Sequence, residues 1–264
     1  MRIVRFLDPT GAERWGQRVD ASTAKLIEGD VLGSYHVTGV AAKISKLLAP
    51  IVPRAILCIG LNYRRHAEET GSKVPEFPIL FIKQPAATQN PGDPIVLPKI
   101  ESEPDYECEL AVVIHKAAKN VSREKALSHV LGYTCANDVS GRSWQLKKGG
   151  SQWCRGKSFD TFCPLGPDLV TCEEIPDPNA LKIKTLLNGE TVQDWTTSDM
   201  IFDVPTLISF LSQSTTLLPG TVILTGTPQG VGIARKPPRF LTPGDRIVIE
   251  IEKIGRLENP VVGE

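Results

Sequence analysis

The spacing of apolar residues limits this chain to a fold built mainly from β-strands. Short runs rich in β-branched and aliphatic residues recur along the sequence, and few stretches carry helical spacing. The runs that predict strands are AILCIG (55–60), ILFIK (79–83), ELAVVI (109–114), LKIKTLL (181–187), TVILTG (221–226) and RIVIEIE (246–252). Because these strands do not alternate regularly with long helices, a Rossmann fold or a TIM barrel fits poorly. The pattern predicts a β-rich fold with small helices.

Turn and helix signals connect these strands. Asn188-Gly189 is a strong hairpin signal after the strand at 181–187. Residues 203–213 predict the clearest helix, with an apolar stripe and a proline in the first turn. Residues 122–130 predict a second helix with Ser122 as its N-cap, and residues 62–69 a short third one.

The chain length suits either one large domain or one domain with a small appendage. Residues 1–50 read as a small N-terminal domain of short strands and turns, and residues 51–264 read as the main body. A total of 264 residues is enough to bury a sizeable core in one unit.

Charge and cysteine content exclude several classes of protein. Lysine plus arginine and aspartate plus glutamate both number 30, so no basic surface points to nucleic acid. No apolar run approaches the length of a membrane span, and the N-terminal segment lacks the apolar core of a signal peptide. The six cysteines include no CxxC pair, which favours free thiols in a reducing compartment. We therefore expect a cytoplasmic protein, or one of the mitochondrial matrix if a presequence was removed.

Three carboxylates form the strongest functional signal. Glu107 and Glu109 occur in DYECELAVVI, and Asp138 occurs in ANDVSGR. Alternate residues of a strand face the same side, so the two glutamates would share one space and repel each other. Glu-x-Glu on a strand more often marks a solvated face, but this strand continues as an apolar run that reads as buried on both sides. Oxygen ligands of this kind suit Mg²⁺, Mn²⁺ or Ca²⁺.

Other candidate residues could complete a catalytic site. His66 and Glu69 have the spacing that places both on one helix face, where the carboxylate can fix the imidazole tautomer. Lys157 could stabilise an enolate oxygen, and Gln145 could hydrogen-bond a substrate. Surface exposure is the ordinary alternative for each of them. TGTPQGVG (225–232) could either present backbone amides to an anion or form a tight turn.

Taken together, these segments resemble the fumarylacetoacetate hydrolase superfamily. The similarity runs from about residue 55 to the end and is closest to the fumarylacetoacetate-hydrolase-domain-containing-protein-two type. It rests on the order and spacing of IGLNYRRHAEE, FPILFIKQPA, DYECELAVVI, GYTCANDVSGRSWQ, RGKSFDTFCPLGP, LLNGETV and VILTGTPQGVG.

The resemblance implies an α+β, β-rich fold, a mixed β-sandwich roll preceded by a small N-terminal β domain. It also implies bound Mg²⁺ or Mn²⁺ and a homodimer. By this similarity the metal ligands are Glu107, Glu109 and Asp138, the catalytic residues are His66, Glu69 and Lys157, and the substrate-binding residues are Gln145, Gly226 and Thr227.

The expected chemistry acts on a small 2-oxo or 1,3-dicarbonyl acid through a metal-bound enolate, with oxaloacetate tautomerisation as the leading expectation. Three enzymatic alternatives stay open: carbon–carbon bond hydrolysis of acylpyruvates or 2,4-dioxo acids, decarboxylation of oxaloacetate, and isomerisation of a diketo acid in a specialised pathway. A metal-binding ligand sensor is the non-enzymatic alternative, and the intact set of candidate residues argues against it. The family's tyrosine-catabolism hydrolase has a fourth carboxylate ligand where this chain has IGLN, which points to smaller substrates.

Overall fold

β-Strands dominate the structure, a computed structural model that describes residues 1–264. The strands are β1 (Arg2–Leu7), β2 (Glu13–Arg18), β3 (Thr23–Gly29), β4 (Tyr35–Lys43), β5 (Lys46–Leu48), β6 (Ala55–Gly60), β7 (Ile79–Lys83), β8 (Thr88–Gln89), β9 (Ile95–Leu97), β10 (Pro104–Asp105), β11 (Cys108–Ile114), β12 (Val130–Asn137), β13 (Ser140–Gly141), β14 (Cys163–Thr171), β15 (Lys182–Leu187), β16 (Glu190–Thr196), β17 (Thr221–Leu224), β18 (Arg246–Ile251) and β19 (Gly255–Gly263). All six strands predicted from the sequence are present, within two residues of the predicted bounds.

Helices are short and few. The α-helices are α1 (Arg64–Thr70), α2 (Cys154–Lys157) and α3 (Val204–Leu211). A π-helix covers Ser143–Lys148, and 3₁₀ helices cover Pro85–Ala87, Arg123–His129, Thr197–Asp199 and Gly232–Ala234. None of the helices has both the length and the apolar character needed to cross a membrane.

A large mixed sheet forms the centre of the molecule. Its main path runs β4-β3-β2-β1-β14-β12-β11-β17-β6-β7, with β5 paired to β1 and β8 paired to β14. β11 lies between β12 and β17 and is buried along its whole length. This central position explains the unbroken apolar run that follows Glu109, because both faces of the strand are covered.

A smaller sheet of five strands, in the order β16-β15-β18-β19-β9, packs on one face of the large sheet. The main core lies between the two sheets and α3, and includes Leu110, Val112, Ile183, Leu207 and Ile249. Residues of β11 that alternate with these, such as Ala111 and Val113, enter a second core on the opposite face. The β-rich sandwich predicted from the resemblance is therefore confirmed.

The hairpin predicted at 188–189 connects β15 to β16. Asn188 has φ 54° and Gly189 has φ 85°, so both central residues adopt the left-handed conformation that a tight hairpin turn requires. The hairpin fixes the position of β16, which contacts the candidate site described below.

Two details of the helix predictions differ from the structure. Residues 123–129 form a 3₁₀ helix, and the Ser122 side chain makes no capping hydrogen bond. At α3, by contrast, the Asp203 side chain caps the helix by accepting a hydrogen bond from Thr206 N. The 3₁₀ segment is too short and too irregular for the α-type cap that Ser122 was expected to provide.

The N-terminal strands are continuous with the large sheet. β1 pairs antiparallel with β14, with Arg2 opposite Val170 and Ile3 opposite Leu169. The buried Asp168 carboxylate adds ion pairs to Arg2, at 3.1 Å, and to Arg18, at 2.7 Å. The domain boundary near residue 50 stays a prediction, although strands on both sides of it share one hydrogen-bonded sheet.

Candidate active site and metal centre

The pairing of β11 with β12 brings the three predicted carboxylates together. The two strands are antiparallel, with Glu109 opposite Ala136, so the start of β11 meets the end of β12. Asp138 directly follows β12, and its backbone N–H donates to the carbonyl of Glu107 at 2.9 Å. All three side chains are buried. The alternative of a solvated Glu-x-Glu face is therefore wrong.

The carboxylate cluster, defined as Glu107, Glu109 and Asp138, has the geometry of a cation site. One ligand oxygen from each residue lies within 4.8 Å of the other two. Oxygen donors alone at this spacing are the set that Mg²⁺, Mn²⁺ or Ca²⁺ prefers.

Buried cations neutralise part of this cluster. Lys157 Nζ donates to Glu107 Oε2 at 2.7 Å and to Asp138 Oδ2 at 2.9 Å. Lys83 Nζ donates to Asp138 Oδ1 at 2.6 Å. Only 1% of Lys157 and 2% of Lys83 is exposed, so the alternative of a surface-exposed lysine is wrong for Lys157.

Arg142 supplies a third cation from the segment that follows Asp138. Its guanidinium lies 2.7 Å from Glu107 Oε1 and 2.9 Å from Asp105 Oδ2. Sequence reasoning missed both Lys83 and Arg142. The alternation of Phe81 and Lys83 in ILFIK was the available signal, because both buried residues occupy the same face of β7.

Glu109 is the one carboxylate of the cluster without a cationic partner. Its Oε2 accepts a hydrogen bond from Gly226 N at 2.7 Å, and no lysine or arginine lies within salt-bridge distance. Burial raises the pKa of Glu109 well above its ordinary value, and the charges of Asp138 and Glu107 raise it further. At Glu107, burial acts in the same direction, but Lys157 and Arg142 hold the pKa at about 2.

A divalent cation would resolve this imbalance. Four buried carboxylates, those of the cluster and Asp105, meet three buried cations, Lys83, Arg142 and Lys157. Glu109 is therefore the carboxylate without a cation, and its raised pKa shows that its charged form is disfavoured until a cation is bound. The residues present therefore fit Mg²⁺ or Mn²⁺ at the cluster.

His66 and Glu69 lie on α1, beside the same space. His66 Nδ1 is 3.2 Å from Glu69 Oε2, and the imidazole is largely buried. When Nδ1–H donates to the carboxylate, Nε2 carries a free lone pair and can act as a base. The helix that was predicted for 62–69 is present as Arg64–Thr70.

The glycine-rich loop at 225–230 connects the carboxylate cluster with the His66–Glu69 pair. Gly226 N donates to Glu109, as described above, and Gly230 N donates to Glu69 Oε1 at 2.9 Å. Gly226 has φ 97°, and a Cβ atom there would lie 2.7 Å from Asn62 Cβ. The loop thus presents amides to anions, and these anions are carboxylates of the protein itself.

Two of the three predicted substrate-binding residues, Gln145 and Thr227, line one cavity, whereas Gly226 is not part of its lining. Gln145 is on the π-helix, where its Oε1 accepts a hydrogen bond from Arg142 Nη1 at 2.9 Å. Thr227 is buried on the loop that follows β17. The cavity has a volume of about 360 Å³, and its polar lining is His66, Glu69, Thr70, Ser72, Glu107, Glu109, Arg142, Gln145, Lys157 and Thr227.

Apolar side chains complete the lining of the cavity. They belong to Ile59, Leu61, Phe81, Leu146, Trp153, Ile233 and Ala234. Trp153 lies against Gly60, where a Cβ atom would come within 2.3 Å of its ring. A pocket whose lining combines apolar side chains with a few convergent polar groups is typical of small-molecule sites.

Comparison with known proteins gives consistent matches for the chain. Residues 55–262 match the family model described as fumarylacetoacetate (FAA) hydrolase C-terminal. The chain is 52% identical to a protein of Xenopus laevis named oxaloacetate tautomerase fahd2, mitochondrial, over 82% of this chain and 68% of the relative.

Solved structures with the same architecture include proteins named for different reactions. A 5-carboxymethyl-2-hydroxymuconate delta-isomerase from Mycobacterium smegmatis is 38% identical with a TM-score of 0.88, covering 100% of both chains. A fumarylacetoacetate hydrolase from Exiguobacterium antarcticum is 36% identical with a TM-score of 0.87, again covering 100% of both chains.

Proposed function

The chain belongs to the fumarylacetoacetate hydrolase family, and from this premise we propose that it is a divalent-metal-dependent enzyme that interconverts the enol and keto forms of oxaloacetate. The observation that carries the proposal is the buried carboxylate cluster, in which Glu109 has no cationic partner, beside the hydrogen-bonded His66 imidazole and the buried Lys157 in one cavity. The name of the Xenopus laevis relative supports oxaloacetate as the substrate.

We propose that Glu107, Glu109 and Asp138 hold the metal ion, with Mg²⁺ or Mn²⁺ as the expected ion. When bound, the ion supplies positive charge that stabilises negative charge developing on the substrate oxygens. Glu107 and Asp138 keep the contacts with Lys157 and Lys83 that fix their carboxylate orientation.

His66 is the proposed proton carrier. Its Nε2 takes a proton from the carbon next to the keto group of oxaloacetate, and the electron pair of that C–H bond forms the carbon–carbon double bond of the enol. Glu69 stabilises the imidazolium that results, through the contact at Nδ1. The π electron pair of the C=O bond moves onto the keto oxygen, which takes a proton back from the His66 imidazolium to complete the enol. The reverse steps regenerate the keto form.

Lys157 is proposed to stabilise the keto oxygen of the substrate as negative charge develops on it. An ammonium group has three N–H donors, and Lys157 uses two of them on Glu107 and Asp138. The third donor is available to the substrate in the cavity that Lys157 lines.

Gln145, Gly226 and Thr227 are proposed to shape the substrate site. Gln145 has its amide nitrogen free because only its oxygen bonds Arg142. The Gly226 amide already donates to Glu109, so we do not expect it to hydrogen-bond the substrate. We expect Gly226 to act by its small size, which lets the loop backbone pack closely against Asn62.

Hydrolysis of a 2,4-dioxo acid is the second candidate function. The same His66–Glu69 pair could activate water, and the similarity to the Exiguobacterium antarcticum hydrolase favours this alternative. Oxaloacetate decarboxylation and isomerisation of a specialised diketo acid need the same charge stabilisation and belong in the same test.

A substrate panel separates these reactions. Oxaloacetate, acetylpyruvate and fumarylpyruvate are assayed with Mg²⁺, with Mn²⁺ and with a chelator. We expect enol–keto interconversion of oxaloacetate, followed by ultraviolet absorbance, that the chelator abolishes. Cleavage of acetylpyruvate at a higher kcat/KM would assign the protein as a hydrolase, and no turnover of any compound would contradict both functions.

The His66→Ala substitution tests the proton carrier. We expect turnover to fall by about 10²–10⁴-fold because general acid–base catalysis contributes that much. Mg²⁺ affinity, measured by calorimetry, is expected to match wild type because His66 is not in the carboxylate cluster. Wild-type turnover in this variant would remove the pair from the mechanism.

We propose that the enzyme is a homodimer of the cytoplasm or the mitochondrial matrix. The dimer is implied by the family resemblance, and the zero net charge presents no repulsion against self-association. The six free cysteines fit a reducing compartment. Size-exclusion chromatography with light scattering tests the dimer. Fractionation of the source cells tests the compartment.

A further inference from the structure

Gln193 makes five hydrogen bonds that link the small sheet to both sides of the candidate site. The residue lies on β16 and is 2% exposed. Its Oε1 accepts from Cys108 N at 3.0 Å and from Thr185 Oγ1 at 2.7 Å. Its Nε2 donates to Thr227 Oγ1 and to the Pro228 carbonyl, both at 2.9 Å, and more weakly to the Gln229 carbonyl at 3.4 Å.

These partners fix the orientation of the Gln193 amide. A rotated amide would place its NH₂ group against the Cys108 N–H, which can only donate. It would also place its oxygen against the Pro228 carbonyl, which can only accept. The side chain thus has one arrangement that satisfies all of its neighbours, and it acts as a rigid connection between them.

One side of this connection is the strand that carries the carboxylate cluster. Cys108 lies between Glu107 and Glu109, and its backbone N–H donates the hydrogen bond to Gln193 Oε1. Thr185 is directly opposite Gln193 in the pairing of β15 with β16, so the acceptor end of the amide is held by the small sheet.

The other side of the connection is the loop at 225–230. The ends of this loop bond Glu109, through Gly226, and Glu69, through Gly230. Its middle is held by Gln193, and Gly230 packs so closely on β16 that a Cβ atom would lie 2.2 Å from the Val192 carbonyl. The loop is therefore a bridge of fixed length between the cluster and the His66–Glu69 pair.

We infer that Gln193 is a positioning residue that sets the separation between the His66–Glu69 pair and the carboxylate cluster. The catalytic consequence rests on the proposed function: proton transfer requires His66 to reach a carbon of a substrate that is held at the cluster. A displacement of about 1 Å at such a site can lower turnover by about 100-fold. Gln193 itself does not line the cavity, so it acts through Thr227, Pro228 and Glu69.

Two substitutions at Gln193 test this inference. Gln193→Met keeps the size and removes all five hydrogen bonds. Gln193→Glu keeps an acceptor oxygen for Cys108 and Thr185, but it leaves the loop at most one O–H donor in place of the two N–H donors of the amide. Thr185→Val is the matched control, since it removes one bond of the same amide on the side away from the loop. Each Mg²⁺-loaded protein is examined by hydrogen–deuterium exchange and by steady-state kinetics on oxaloacetate.

We expect residues 225–231 and 64–71 to exchange faster in both Gln193 variants, with exchange at 108–114 and Mg²⁺ affinity unchanged in Gln193→Glu. In that variant kcat falls by about 100-fold with a smaller change in KM. Thr185→Val is expected to keep the wild-type exchange at 225–231. If Gln193→Met does not fold, Gln193→Glu decides the outcome alone.

Wild-type exchange at 225–231 in Gln193→Glu would overturn the inference. Faster exchange throughout the chain, with a loss of Mg²⁺ affinity that accounts for the loss of kcat, would also overturn it, because that is the result of a merely structural role. If the wild-type protein turns over no substrate, the proposed function fails, and the exchange pattern still decides whether Gln193 holds the bridge.

Discussion

At the scale of single residues, the decisive difference lies between Glu109 and its two neighbours in the cluster. Glu107 and Asp138 each have a buried cation against them, whereas Glu109 has only the amide of Gly226. Removing one partner of a buried ion pair leaves an unpaired charge and destabilises the protein strongly. Substitution of Glu109 carries no such penalty, so it is the position at which metal binding can be tested separately from folding.

Glu109→Gln is expected to weaken Mg²⁺ binding by more than about 100-fold, because even residues outside the ligand set change metal affinity by 10–100-fold. The folded metal-free protein should be as stable as wild type, since the substitution removes repulsion with Asp138 and Glu107. Calorimetric titration measures the affinity. Glu69→Gln serves as the control carboxylate outside the cluster, and equal Mg²⁺ affinity in the two variants would contradict the assignment of Glu109 as a ligand.

Lys83→Met is expected to lower the free energy of unfolding by about 3 kcal/mol, because it breaks a fully buried pair with Asp138. Lys46→Met provides the comparison: Lys46 forms an exposed pair with Asp93, at 2.8 Å, which should contribute less than about 1 kcal/mol. Urea denaturation of the metal-free proteins measures both. Similar losses in the two variants would show that Lys83 does not carry the structural role assigned to it.

The sequence identified the acidic residues of the site but not most of the groups that hold them. Glu107, Glu109 and Asp138 stand out because charge interrupts apolar strands. Lys83, Arg142 and Gln193 bond residues 55, 37 and 85 positions away, respectively. Their partners are set by strand pairing across the sheets, which local patterns do not encode, and the usual exposure of these residue types points away from a buried role.

At the scale of elements, strands were easier to predict than helix ends. β6 and β7 begin and end at the predicted residues because turn residues bound both apolar runs. The helix at 122–130 was expected to be an α-helix capped by Ser122, but it is a 3₁₀ helix without that cap. The backbone there is decided by packing against α3 and not by the capping residue.

The contrast between the two helix starts gives a prediction about pH. Burial raises the pKa of Asp203, but hydrogen bonds from Arg123 and Thr206 outweigh it, so the pKa is lowered overall. A lowered carboxyl pKa contributes stability that is fully present above the unfolded value of about 4 and is lost as the pH falls through the folded value. Asp203→Ala should therefore cost about 1 kcal/mol at pH 7, and this cost should become smaller as the pH falls below about 4.

Urea denaturation at pH 7 and at pH 3 measures this difference. Ser122→Ala is the matched control, since the Ser122 side chain makes no cap, and its effect should stay within about 0.5 kcal/mol. An Asp203→Ala cost that is the same at both pH values would show that its charged form is not what stabilises α3.

At the scale of the whole molecule, the large sheet connects the N-terminal strands to the candidate site. β1 pairs with β14, β14 pairs with β12, and β12 pairs with β11, the strand of Glu109. The buried Asp168 on β14 adds ion pairs to β1 and β2. Because the sheet is continuous across the domain boundary predicted near residue 50, the segments on both sides of this boundary should unfold cooperatively.

We therefore expect thermal unfolding in a single transition, with a calorimetric enthalpy equal to the van't Hoff enthalpy. Asp168→Ala should lower the melting temperature because it removes the ion pairs of Asp168 with Arg2 and Arg18. The transition should stay single because the hydrogen bonds of the sheet are kept. Two separate transitions, with residues 1–50 melting independently, would instead support the two-domain division predicted from the sequence.

The lining of the cavity has two structural origins. Glu109, Ile59 and Phe81 are on strands of the large sheet, whereas Leu61, Leu146 and Ile233 come from connections outside it. Exchanging these connections would alter which molecules fit while leaving the ion-holding framework in place. A library randomised at those three positions is thus the natural starting point for retargeting this scaffold to new compounds.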